Sequence, residues 1–316
     1  MTDVKNIAGM SMKGGKKDNF FFCLIEYYPK KERWFLRSLL QVKDEQTNDG
    51  DIAIRGWISK YNLSDLVVDF PLSTPFCQSC SLDCPGANIC PVEGVKIVRE
   101  SMEELLSQDD QIRSRNPKKY ENERLKDIEF NPKRNVIHEV NDEHLLSRSF
   151  KRKLKKGFLP YWNRGIDFWV WRNYYDHLLE YFNLSYDSFG TTSLMILSRF
   201  SYLRRHFPNS LHLFEGNVYL TLIELMKAGI IKVKDVKDLA DFELHARAKL
   251  NILKDIEKGL DIFIYDHDLE ILIKNPRAYD SFILALVGQR IQMNKTREVP
   301  SWAYIEEGPF IVPEFS

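Results

Sequence analysis

The segment Leu66-Val67-Val68-Asp69-Phe70-Pro71 constrains the fold more than any other part of the chain. It is apolar without alternation, too short for a helix, and closed by a proline, so it reads as a buried strand rather than a surface one. What precedes it fits a sheet. Ile7 to Met12, Asn19 to Tyr28 and Trp34 to Val42 read as three strands, separated by turn material at Lys13 to Asp18 and at Tyr28-Pro29-Lys30-Lys31. After a polar loop from Asp44 to Asp51, the residues Ile52, Ile54, Trp57, Ile58 and Tyr61 have helical spacing. A helical crossover into the buried segment lets that fourth strand run parallel to the first. With a fifth strand at Leu211-His212-Leu213-Phe214-Glu215, the expected class is α/β, a five-stranded mixed sheet flanked by helices.

Helices are expected at Val92 to Ser107, from Ile166 to about Phe207, and from Tyr219 to Ala228 with Gly229 as the stop. A further long helix reads from Leu239 to Lys258 with Leu239, Phe242, Ala246, Leu250, Leu253 and Ile256 inward. A last one starts at the cap pair Asn275-Pro276 and runs to about Met293. Residues 108 to 164 are polar and weakly periodic apart from a short strand candidate at Asn135 to Val140. The chain therefore divides into the N-terminal part of a core (1–107, with a cysteine loop at 77–90), a basic and aromatic, mostly helical insertion (108–207), and the C-terminal part of the core (208–316).

Three carboxylates stand where burial is expected. Asp69 closes the buried strand, Glu215 follows Leu213-Phe214 in the same way, and Asp280 sits among apolar residues early in the last helix. A buried acid needs a hydrogen-bonding partner or a cation. Such acids either serve as caps or converge on a divalent ion, since hard cations take oxygen ligands.

These residues carry a resemblance. Val68-Asp69-Phe70-Pro71-Leu72-Ser73, Phe214-Glu215 with Tyr219, Tyr279-Asp280-Ser281-Phe282, and the tail Glu307-Gly308-Pro309-Phe310 resemble, in order and spacing, a family of predicted nucleases with an RNase H-like fold, relatives of the RuvC-like enzymes. The likeness covers the two ends of the chain and leaves its middle unaccounted for. It implies phosphodiester hydrolysis at carboxylates that hold Mg²⁺ or Mn²⁺, with Asp69, Glu215 and Asp280 as ligands. The chain departs from the pattern in its first strand, where Ser11 in Gly9-Met10-Ser11-Met12 stands at the family's aspartate. A neutral hydroxyl is a weak ligand, so that departure puts catalysis in doubt and leaves a non-catalytic binding protein as the alternative.

Cys77-x2-Cys80-x3-Cys84-x5-Cys90 offers four thiolates in one loop, with Pro85, Gly86 and Pro91 supplying turns. Four thiolates close a tetrahedral structural zinc site, with an iron–sulfur cluster and disulfides or free thiols as alternatives. Because the loop starts soon after Asp69, a bound metal would pin the rim of the carboxylate site. Between 148 and 164 lie Arg148, Lys151, Arg152, Lys153, Lys155, Lys156 and Arg164 without an acid, and aromatics follow closely. Cations beside rings suit nucleic acid; the same pattern also describes a charged segment leading into a helix that buries its aromatics.

Lys+Arg and Asp+Glu are both 45, so any nucleic-acid affinity has to come from such a local patch. No apolar run approaches a bilayer span, and the N-terminus lacks a signal-like apolar stretch, so no membrane association and a cytoplasmic location are expected. Glycine-rich phosphate loops, dinucleotide fingerprints and the Gly-x-Ser-x-Gly elbow are absent.

Overall fold

The computed structural model describes residues 5–12, 20–42, 50–126, 146, 148–184, 200–303 and 308–315. The turn expected at 13–18, the loop residues 44–49, the strand candidate at 135–140, the 185–199 part of the expected helical stretch and Glu307 lie outside the described residues. Along the chain run β1 (Lys5–Ser11), β2 (Phe21–Tyr28), β3 (Arg33–Gln41), α1 (Gly50–Lys60), β4 (Asp65–Val68), α2 (Glu93–Arg115), α3 (Pro117–Lys126), α4 (Arg148–Lys156) and α5 (Gly165–Phe182). Then follow β5 (His212–Glu215), α6 (Val218–Lys227), α7 (Val233–Asp238), α8 (His245–Leu260), β6 (Ile262–Phe263), α9 (Asp266–Lys274) and α10 (Pro276–Gln292). No helix among the described residues is long and apolar enough to cross a membrane.

Contacts divide the chain into two units: Met1–Leu72 with Thr191–Glu298 and Glu307–Ser316, and Ser73–Gly190 with Val299–Glu306. The first holds a six-stranded mixed sheet in the order β5-β4-β1-β2-β3-β6. β1, β2 and β3 form an antiparallel meander, β4 adds parallel to β1, and β5 adds parallel to β4. The expected count of five strands is corrected by β6, a two-residue strand parallel to β3 at the far edge. Two residues carry no period, so it could not be read from sequence.

Alternation along the strands builds two layers. Ala8, Met10, Phe22, Leu24, Leu66 and Val68 share one face with Ile54, Trp57 and Ile58 of α1, where the Phe22 and Trp57 rings lie 5.6 Å apart. On the other face Gly9 faces the backbone of α10 so closely that a Cβ there would overlap Ser281 O and Ala285 N. Only glycine permits that approach. α10 is buried without interruption from Ser281 to Arg290, and it starts where Asn275 Oδ1 accepts from the Arg277 amide at 3.0 Å, with Pro276 at the first helical position.

The long helix expected from Leu239 to Lys258 is shortened to α8, which starts at His245, while α7 ends at Asp238, ahead of the expected span. Asp241 Oδ1 accepts from the amides of Glu243 (2.8 Å) and Leu244 (3.0 Å), a local turn that competes with helix. Its buried face is Ala248, Lys249, Ile252, Leu253, Ile256 and Leu260, while Phe242, expected inward, is 99% exposed.

In the second unit, among the described residues of the polar, weakly periodic stretch at 108–164, α2 runs on to Arg115 and α3 and α4 follow. Its core joins Phe76, Val95, Val98, Met102, Phe150, Leu154, Phe168 and Trp171. The cysteine loop belongs to this unit.

Candidate functional site

Met10 pairs with Val68 across the parallel β1–β4 ladder, so Ser11 and Asp69 leave the carboxyl ends of neighbouring strands together. The buried Ser11 hydroxyl donates to Asp69 Oδ2 at 2.6 Å, and the Met12 amide donates to Oδ1 at 3.2 Å. Asp280 comes to the same place from the opening turns of α10. Between them lies a cation. Arg277 Nη1 is 3.2 Å from Ser11 Oγ, 3.4 Å from Asp280 Oδ2 and 3.6 Å from Asp69 Oδ2.

Arg277 compensates the acids only in part. Burial, and next the charge of Asp69, push the Asp280 carboxyl up to about 7, against the pull of Arg277 and Lys249. Burial also raises Asp69, opposed by the Ser11 hydroxyl, the Met12 amide and Arg277. The Tyr219 phenol is raised by burial and by the charge of Asp280. Lys249 is buried; desolvation lowers its ammonium while Asp280 holds it up, and its Nζ lies 5.1 Å from the Tyr279 ring centroid. Carboxyls perturbed in this way occur at functional sites and in structural ion-pair networks alike.

Of the acids expected to converge, Asp69 and Asp280 do so with Ser11. Glu215 stands one strand over, opposite Val68, and its Oε2 accepts from the Leu72 amide at 2.9 Å. It braces the turn that follows Asp69. Among the described residues, no three His, Cys, Asp or Glu side chains are drawn together as a metal-holding group. Arg277 and Lys249 escaped the sequence reading. Arg277 could have been found from its i,i+3 spacing to Asp280, and Lys249 from its position on the inward stripe three residues after Ala246 and four before Leu253.

Cys77, Cys80, Cys84 and Cys90 are all free thiols. Cys90 is buried, Cys77 is half-buried, and Cys80 and Cys84 are exposed. All four line one cavity of about 20 Å³, walled by Phe76, Leu82, Pro85, Pro91, Val92 and Val95. Burial raises the Cys77 thiol, as do its three neighbours Cys90, Cys84 and Cys80.

The basic run divides in two. Lys151 is buried and hydrogen-bonded to Asp109, and to Asp110 at 2.8 Å; Asp109 also accepts from the Tyr120 hydroxyl at 2.7 Å. Lys153 lies 4.3 Å from the Trp171 ring centroid, and Arg164 is buried against Asp167 at 3.0 Å. The expectation that Lys151, Lys153 and Arg164 face nucleic acid is corrected: Lys151 and Lys153 lie on the inner side of the amphipathic α4, and Arg164 is a buried cap of α5. Arg152, Lys155 and Lys156 are exposed, as are Tyr161 (63%) and Trp162 (62%) just beyond them. The Arg148 side chain lies outside the described residues.

Comparison with protein-family models, with curated proteins and with solved structures returns no match.

Proposed function

We propose that the chain is a metal-dependent phosphodiester hydrolase of RNase H-like architecture, acting on nucleic acid, in which Asp69 and Asp280 hold one divalent cation. The observation that carries this reading is the convergence of Ser11, Asp69 and Asp280 at the carboxyl edge of β1 and β4. The meander β1–β3, with β4 and β5 added in parallel beyond β1, is the sheet expected of that architecture. The donor set fits one hard cation and falls short of two, because two acids and a neutral hydroxyl carry too little charge. When bound, Mg²⁺ or Mn²⁺ supplies Lewis-acid polarisation of the phosphoryl group and an acidified water. Ser11 and the Met12 amide hold the Asp69 carboxylate in one orientation. To act as a ligand Asp280 would have to be ionised, and Arg277, within reach of the same oxygens, would be the cation to meet a substrate phosphate, as its planar donors suit phosphate.

A second reading is favoured by Arg277 itself: a permanent internal counter-ion in place of the metal makes a non-catalytic nucleic-acid-binding protein. The exposed Arg152, Lys155 and Lys156, with Tyr161 and Trp162 beyond them, would then supply backbone contacts and stacking. One experiment separates the two. Calorimetric Mn²⁺ titration of the full chain beside Asp69→Asn is expected to give binding that the variant loses, followed by Mn²⁺-dependent cleavage in a screen of single- and double-stranded DNA and RNA. No binding in either protein, with nucleic-acid affinity intact, would sink the hydrolase and leave the binding protein.

A further inference from the structure

The loop from Cys77 to Cys90 is short of the interactions that hold a loop in one conformation. Two single-turn 3₁₀ segments, Phe76–Gln78 and Ala87–Ile89, interrupt it, and Gly86 takes φ +100°. Leu82 is 53% and Ile89 68% exposed, so the loop turns apolar side chains outward while its thiols line the cavity. A protein usually compensates so sparse a segment with a cross-link.

The four thiols line one cavity, although among the described residues they are not drawn together as a metal-holding group. Cys90 is packed with Phe76 and Val95 in the core of the second unit and precedes the first turn of α2. Cys77 is tied down by its amide, which donates to Pro160 O at 3.1 Å. These two are the fixed half of a site. Cys80 and Cys84 are on the exposed arms and can close onto it. The space of about 20 Å³ accommodates a single ion, since one water-sized sphere needs roughly 10–15 Å³. Soft thiolates with no oxygen or imidazole donor at the cavity select zinc over Mg²⁺ or Mn²⁺.

We propose that Cys77, Cys80, Cys84 and Cys90 close on one zinc ion, a structural site that staples the loop to the start of α2. Four thiolates leave no open position, so the ion does no chemistry. This site is independent of the carboxylate pair, and it stands or falls without it.

The test uses the full chain purified under reducing conditions without chelator. Zinc, iron and acid-labile sulfide are quantified, and Co²⁺ is exchanged for the native metal. One zinc per chain is expected, with a Co²⁺ spectrum showing sulfur-to-metal charge transfer and the intense visible bands of a tetrahedral tetrathiolate. Cys84→Ser, at an exposed position that leaves the core intact, is expected to lose the tetrathiolate spectrum while keeping its far-UV circular dichroism. Iron with labile sulfide, two disulfides in place of four metal-protected thiols, or an unchanged Co²⁺ spectrum in Cys84→Ser would each overturn the proposal. A chain that binds neither zinc nor Co²⁺ would do so too.

Discussion

Replacing Arg277 by Gln removes the cation that lies on both acids, and under the hydrolase reading it should tighten Mn²⁺ binding. At 3.4 Å from Asp280 and 3.6 Å from Asp69, each pair is worth about 1 kcal/mol at the dielectric of water and about 4–5 kcal/mol at an effective dielectric near 20. The three side chains are between 15% and 27% exposed, which puts the energy an incoming ion has to displace at about 2 kcal/mol, or roughly 30-fold in affinity. A second effect works the other way. Arg277 holds the Asp280 carboxyl down, so its loss raises that group further and an entering cation must expel a more tightly held proton. The gain is therefore expected in full at about pH 8.5 and smaller at about pH 7. Isothermal calorimetry of both proteins at the two values reads it directly. Weaker or unchanged Mn²⁺ binding in Arg277→Gln at the higher pH would refute the idea that the guanidinium and the metal compete for the same oxygens.

Asp280 also links folding to pH. Its folded value, about 7, lies above its ordinary 3.8, so its contribution to stability is complete below about pH 4 and lost as pH rises through 7; urea midpoints should fall more over that window in the wild type than in Asp280→Asn. Gly9→Ala should cost more than about 3 kcal/mol or prevent folding, because the new methyl would overlap α10 backbone that has no way to yield; a urea midpoint within error of wild type would contradict the close packing. Lys151→Met should cost about 3–5 kcal/mol by leaving Asp109 buried beside an apolar group, whereas Lys155→Ala should stay within about 0.5 kcal/mol. Removing Arg152, Lys155 and Lys156 together should reduce the salt dependence of single-strand binding by about two units of slope; an undiminished slope would clear α4 of phosphate contact.

How much of this was legible in the sequence follows from which forces act locally. The meander and β4 were readable because burial leaves its period along each strand, and the cap Asn275-Pro276 marked α10 because capping chemistry is confined to a few residues. β6 was not, since its two residues are a strand only through β3. Ahead of α8 an Asx turn at Asp241 starts the helix later than the apolar spacing suggests, and Lys249, a charge on the inward stripe, is recognised as interior only from its burial. The site shows the same division. Asp69 and Asp280 announce themselves as charges in apolar company, a property of their neighbours in sequence. Arg277 is marked in sequence only by its i,i+3 spacing to Asp280, while its contact with Ser11 spans 266 residues. Lys151 and Lys153 carry the lesson in reverse. A run of cations looks like one surface, yet a helix turns each residue by about 100°, so α4 sends some of them inward to Asp109 and the Trp171 ring and leaves Arg152, Lys155 and Lys156 outside. Charge density along a sequence is therefore a poor guide to charge density on a surface until the helix phase is known. In α4 that phase puts Arg152, Lys155 and Lys156 on the exposed side.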